Sequence, residues 1–157
     1  MDAPAFRIRQ LFISPEHNYF GHHGQPAGEA PILEVDEVKC VVGRGLEGDR
    51  FMAAEPDHEG QVTFFAEETW EQLCEKFEVT DKGPGVFRRN VITRGVNLNA
   101  LIGCEFEVQG VRFFGMEESA PCYWMEQAFC EGALRALQGQ GGLRAKILTT
   151  GTLRRDR

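Results

Sequence analysis

Cys104-Glu105-Phe106-Glu107-Val108-Gln109-Gly110-Val111-Arg112-Phe113-Phe114-Gly115 reads as two short strands, Cys104 to Val108 and Val111 to Gly115. Gln109-Gly110 supplies the turn between them, and Phe106, Val108, Val111 and Phe113 are the core candidates. Working outward, Pro121 to about Leu137 reads as a helix, with Gly132 weakening its middle. Leu143 to Thr149 is a last strand. Upstream, Phe6 to Ile13 is a strand in which Phe6 and Ile8 alternate with Arg7 and Arg9. Ile32 to Val42 is a β-branched strand, and Gln61 to Phe65 and Arg89 to Thr93 are further strands. Ala66 to Glu78 is a helix with Trp70, Leu73, Cys74 and Phe77 on one stripe. Gly83-Pro84-Gly85 is a turn, since strand-like sequence resumes at once. Many short strands with two helices predict a mainly β fold, an antiparallel barrel or sandwich with helical additions.

The 157 residues suit one domain, with its core at about 32–152 and an N-terminal strand and His/Gly-rich loop at 6–31. Hydrophobic residues make up 42%, enough for a packed core. The 18 Gly and 7 Pro, with 12 Phe, point to frequent turns rather than a helical bundle. The net charge of −7 argues against nucleic acid or an anionic membrane as partner, because both are polyanions. No run of about 18 apolar residues is present, so no membrane-spanning helix is expected. The start Met1 to Arg7 lacks a cationic region followed by an apolar stretch, so no secretory signal is expected either. Five cysteines, widely spaced and without C-x-x-C, argue for free thiols in a reducing cytoplasm.

The charge is uneven. From Glu55 to Asp81 nine acidic residues face Lys76 alone. Lys82, Arg88, Arg89 and Arg94 then form a basic island, and Arg135, Arg144, Lys146, Arg154 and Arg155 form another. The two islands either converge on a small anion such as a phosphate or are ordinary solvated faces.

Cys122 stands out among the thiols. Pro121 suits the first position of a helix, which would place Cys122 in the first turn near unpaired N–H groups. That position favours thiolate, the form that attacks sulfur or binds a soft metal. By position alone Cys122 is as open to a structural role as to a functional one. Cys40, Cys74, Cys104 and Cys130 read as packing residues. The turn Gly43 to Arg50 is not a dinucleotide or Walker loop. Either it offers backbone N–H groups and a guanidinium to a phosphate, or it is a tight turn with an Asp–Arg ion pair. His17, His22, His23 and His58 lack zinc-ligand spacing and read as parts of polar loops.

Several pieces, in order, resemble the MOSC domain family, named after the C-terminal domain of molybdenum cofactor sulfurase. They are Gly45-Leu46-Glu47-Gly48-Asp49-Arg50, Gly60-Gln61-Val62-Thr63 and Arg88-Arg89-Asn90-Val91-Ile92-Thr93. Gly95-Val96-Asn97-Leu98-Asn99, Leu101-Ile102-Gly103, Pro121-Cys122 and Gly141-Gly142-Leu143-Arg144-Ala145 follow, with Gly151 beyond. They cover roughly positions 40–152. The resemblance implies an antiparallel, β-barrel-like fold with a few helices. It implies that Cys122 either carries sulfur or ligates molybdenum in a pterin (molybdopterin) cofactor. Arg88, Arg89 and Arg144 become candidates to hold the cofactor's phosphate, and Gly48, Asp49, Arg50 and Asn90 to shape its pocket. Many members carry His after the Gly-Asp-x stretch, where Phe51 follows Arg50 here. Amidoxime-reducing members carry an extra N-terminal barrel for which this chain is too short, so the pocket is expected to be more open or completed by a second subunit in a homodimer.

Three functions follow from the resemblance. One is molybdenum-dependent reduction of N-hydroxylated small molecules, fed by an external electron donor because no iron–sulfur or flavin motif is present. Another is sulfur carriage as a Cys122 persulfide, loaded by a sulfur donor protein. The third is pterin binding without turnover.

Overall fold

The computed structural model describes residues 7–14, 32–49 and 61–156. The strands are β1 (Arg7–Ile13), β2 (Leu33–Val35), β3 (Glu37–Val41), β4 (Gly45–Leu46) and β5 (Val62–Ala66). They continue with β6 (Val91–Arg94), β7 (Glu105–Val108), β8 (Val111–Glu118), β9 (Leu143–Ile147) and β10 (Gly151–Arg154). The helices are α1 (Glu67–Phe77), α2 (Trp124–Ala128) and α3 (Ala133–Ala136), with 3-10 turns at Pro84–Phe87 and Leu98–Leu101.

Among the described residues, seven strands form one sheet in the order β2-β1-β6-β5-β9-β8-β7, and three form a second, β10-β3-β4. The expected hairpin is β7–β8, with Phe106 opposite Phe113 and Val108 opposite Val111. Gln109 and Gly110 both have positive φ, as a type I′ turn requires. Gln109 fits this strained position because its side-chain amide trades two hydrogen bonds with the Arg154 backbone, at 2.8 and 2.7 Å.

Adjacent phenylalanines in β5 divide the core, because successive strand side chains point to opposite faces. Phe64 packs edge-on to Phe106 and Phe113, at 5.5 and 5.3 Å between ring centroids, on the face shared with Val38, Cys40, Leu46 and Leu153 of the small sheet. Phe65 packs on Phe87, and Phe87 on Phe129, at 5.0 and 5.1 Å. Leu73, Met125 and Leu137 from the helices complete that second face. The large sheet is thus sandwiched between the small sheet and a helical layer.

The mainly β reading holds, but three expectations need correction. First, the sheet is not closed into a barrel; among the described residues β2 and β7 remain its edges. It is also not wholly antiparallel, since β5 and β6 run parallel. α1 lies in their connection, and such a crossover is what parallel pairing requires.

Second, the run Ile32 to Val42 is two strands. The backbone bends at Asp36, so that β2 joins β1 and β3 joins β10. Arg155 holds the bend through its N–H to the Asp36 carbonyl (2.9 Å) and an ion pair to its carboxylate (3.1 Å).

Third, the helix expected from Pro121 to Leu137 is broken into α2 and α3. Glu126 in α2 folds over the break and accepts hydrogen bonds from the N–H groups of Gly132 (2.9 Å) and Leu134 (2.7 Å). These are first-turn donors of α3 that no preceding helical carbonyl could satisfy. Gly132 has φ +95°, and a Cβ there would meet the Phe77 ring at 3.0 Å. No helix among the described residues is long and apolar enough to cross a membrane.

Candidate functional site

Cys122 is exposed and lies just before α2, on the loop that leaves β8. Its carbonyl accepts the Met125 N–H at 2.9 Å, while Tyr123 is the N-cap. The sequence predicts Cys122 in the first turn of a long helix; instead it precedes a helix of five residues. So short a helix sums few peptide dipoles, which removes the dipole argument for a thiolate. Openness and a rigid mounting remain.

Arg89 provides the mounting. Its Nε donates to the Gly141 carbonyl at 2.9 Å, and Nη2 donates to Ser119 at 2.9 Å and Ala120 at 3.3 Å. The guanidinium fork therefore ties the loop before Pro121-Cys122 to the segment entering β9. Two further bonds reinforce it, one between backbones and one to the Glu118 carboxylate. The Ser119 N–H donates to the Gly142 carbonyl at 2.9 Å, and the Gly141 N–H donates to Glu118 at 3.0 Å. The segments approach so closely that a Cβ on Gly141 would lie 2.2 Å from the Ser119 oxygen, and one on Gly142 2.3 Å from the Phe64 oxygen. Only glycine fits at either position.

Arg88 follows the 3-10 turn Pro84–Phe87 with φ 58°, a left-handed conformation uncommon outside glycine. Its guanidinium carbon lies 5.8 Å from the centre of the Trp124 ring, two residues beyond Cys122. The Trp124 indole N–H donates to the Val86 carbonyl at 2.7 Å, which fixes the ring against the same turn.

Asn90 is buried, and its amide is fully engaged. Oδ1 accepts from the Thr63 N–H and hydroxyl, both at 3.0 Å. Nδ2 donates to the Phe12 carbonyl (3.1 Å) and to Asp49 Oδ1 (3.4 Å). Asp49 also accepts the Ser14 N–H at 2.8 Å. Gly48 has φ +89°, and a Cβ there would meet Ile13 at 3.2 Å. Asn90, Asp49 and Gly48 are thus brought together as a polar tie between β1, β5 and the turn after β4. Arg144 sits opposite Thr63 in the β5–β9 ladder, on the same face, and pairs with Glu117 at 3.7 Å with about half of each side chain exposed. Arg50, His17, His22, His23 and His58 lie outside the described residues.

The basic islands do not gather into one patch. Lys82 donates to the Phe129 carbonyl at 2.6 Å, Arg94 pairs with Glu67 and Glu71, Arg154 with Glu37, and Arg155 with Glu34 and Asp36. Hydrogen bonds from Arg94 to Glu71 and then Glu67 raise its pKa further above the ordinary guanidinium value. Burial pushes the Cys40 thiol up to about 12 and raises Cys74 and Cys130 as well, which makes these three poor nucleophiles.

The reading from sequence missed the partners of Arg89. The Gly141-Gly142 pair was the available signal, because adjacent glycines mark close backbone approach. It also gave no role to Asn97 and Asn99, which line a cavity of about 210 Å³ beside the first turn of α1.

An open sheet flanked by a smaller sheet and short helices, with an exposed cysteine after a clamped loop, defines the class. The chain belongs to the MOSC domain family, whose model matches residues 21–156. Its fold is similar to that of the YuaD protein from Bacillus subtilis, with TM-score 0.72 at 16% identity over 95% of this chain and 91% of that one. It is also similar to YiiM from Geobacillus stearothermophilus, with TM-score 0.67 at 12% identity over 96% of this chain and 71% of the other. For YiiM from Escherichia coli the TM-score is 0.62 at 17% identity, over 98% of this chain and 66% of that one. At such identities the likeness speaks for the fold alone. Among curated proteins nothing matches the chain.

Proposed function

We propose that the chain holds a molybdenum cofactor through Cys122 and reduces N-hydroxylated small molecules. Family membership supports a cofactor of this kind. The observation that carries the reading is the exposed Cys122 thiol on a loop whose carbonyls are clamped by Arg89. A soft metal calls for a sulfur ligand that is open to it, and a fixed loop lowers the ordering cost of binding. The donor set fits at the metal end for that reason. At the phosphate end, Arg144 and Arg88 are the holders. Arg144 is half exposed, and its 3.7 Å pair with Glu117 is weak enough to exchange for a phosphate. Arg89 acts by positioning the loop. Gly48, Asp49 and Asn90 shape the wall, since the Asn90 amide is already fully engaged.

When bound, the cofactor would supply the metal that takes oxygen from the N–O bond, with electrons from a separate donor. Five free thiols suit a reducing cytoplasm. A second copy of the chain in a homodimer would cover the open side of Cys122. The test is elemental analysis of protein purified from a cofactor-producing host. Wild type is expected to carry molybdenum and Cys122→Ala to lose it. Metal-free wild type, or equal metal in both, overturns the reading.

The exposure of the same thiol also favours a second reading, sulfur carriage, because a donor protein can reach it. Incubation with a sulfur donor would then add one sulfur to Cys122, removable by reductant. An unmodified thiol counts against it.

A further inference from the structure

We propose that Cys74 and Cys130 close into a reversible disulfide that staples α1 to the link between α2 and α3, the oxidant being a small-molecule disulfide such as oxidised glutathione. α1 carries Trp70, Cys74 and Phe77 at spacings of four and three, so the three lie on one face. Both ends of that stripe reach the segment that holds Cys130. Phe77 lies against Gly132, where an added Cβ would stand 3.0 Å from its ring. The Trp70 indole N–H donates to the Lys82 carbonyl at 2.9 Å, and the Lys82 ammonium donates to the Phe129 carbonyl at 2.6 Å. Cys74 is thus bracketed by Trp70 and Phe77, Cys130 by Phe129 and Gly132, and the two brackets are held together at both ends. Both cysteines pack, partly buried, against one apolar cluster that includes Phe65, Leu73, Phe87 and Leu137. The other three differ: Cys40 is buried in the opposite cluster, and Cys104 and Cys122 are exposed. Burial raises the Cys74 pKa, and the Cys130 sulfur raises it further, as two neighbouring thiols do.

The exchange has two steps. The Cys130 thiolate attacks one sulfur of oxidised glutathione, breaks its S–S bond and releases one glutathione thiolate, which takes up a proton. Cys74, its proton lost to water, attacks the Cys130 sulfur of the mixed disulfide and expels the second glutathione. Two protein thiols are oxidised, and one disulfide is reduced to two thiols. Burial raises the Cys130 pKa while the Lys82 ammonium acts against that rise, which marks Cys130 as the first attacker. The raised pKa values slow that first step; the second is intramolecular and gains from the proximity.

The full chain is incubated with oxidised glutathione in native buffer, remaining thiols are blocked with N-ethylmaleimide, and non-reducing tryptic digests are read by mass spectrometry. Expected is a linked pair of peptides carrying Cys74 and Cys130, two hydrogens lighter than the separate peptides and parted again by reductant. Closing a loop of roughly 55 residues should raise the melting temperature of the oxidised chain by about 5 °C or more. Cys74→Ala and Cys130→Ala, each compared with and without oxidant, should show no such rise, whatever their own stability. The double variant Cys104→Ser, Cys122→Ser lacks the exposed thiols and should keep both the link and the rise, which separates this result from the fate of the molybdenum reading. Absence of the linked peptides overturns the proposal, and so does glutathione left on Cys130 or Cys74 without closure. A link that forms with no rise in melting temperature overturns it as well.

Discussion

Replacing Arg89 by alanine removes the fork that ties the loop before Cys122 to the entry of β9. Two of its bonds, to Gly141 and Ser119, are 2.9 Å long and partly buried; the third, to Ala120, is 3.3 Å and exposed. Hydrogen bonds from a charged donor contribute about 1.5–3 kcal/mol each, less where water reaches them. The exposed bond is best counted as nearly nothing. The other two together give a loss of about 3 kcal/mol for Arg89→Ala, part of it from leaving the Ser119 and Gly141 carbonyls without a donor. Arg89→Lys keeps the charge but not the fork, so it restores only one of the two contacts and about half of that loss. Urea unfolding at neutral pH measures both variants. Alkylation of Cys122, followed residue by residue with mass spectrometry, reads the local effect. The loop is expected to loosen, and the Cys122 rate to change while that of exposed Cys104 stays constant. If Arg89→Ala falls within about 0.5 kcal/mol of wild type and leaves the Cys122 rate unmoved, the positioning argument is wrong.

Other outcomes are equally specific. Because burial holds the Cys40 thiol neutral to about pH 12 while the unfolded thiol ionises near 9, its contribution is intact below pH 9 and is lost as pH rises toward 12. Wild type should therefore lose about 2 kcal/mol more than Cys40→Ala between pH 9 and 10.5 in urea titrations; parallel pH profiles would contradict this. Iodoacetamide on the native chain should label Cys104 and Cys122 first and Cys40 only after unfolding, since the first two are exposed and the third is buried. Early labelling of Cys40 would place it wrongly. Glu126→Ala should cost about 1–2 kcal/mol by stripping the first-turn donors of α3, whereas Glu126→Gln should retain most of that, as circular dichroism melts would show. Equal melts for all three would remove Glu126 as the cap.

The sequence by itself determined what short-range rules govern. Two residues, Gln109 and Gly110, specify a tight turn, and the turn sets the register that puts Phe106 opposite Phe113. A stripe at helical spacing specifies α1, which ends within a residue of its expected limit. The candidate site was legible as a set of residue types, with Cys122 foremost, but not as an arrangement. Asn90 and Arg89 were visible in the chain; the carbonyls that occupy them, at Phe12, Ser119 and Gly141, lie about 30 to 80 residues away. No periodicity encodes such distant partners. For the same reason only the tertiary structure decided that the second helix breaks, because the carboxylate of Glu126 stabilises the break just where the left-handed backbone at φ +95° favours a glycine. Sheet closure likewise depends on whether the edges β2 and β7 meet, and strand patterns read identically in an open sheet and a closed one.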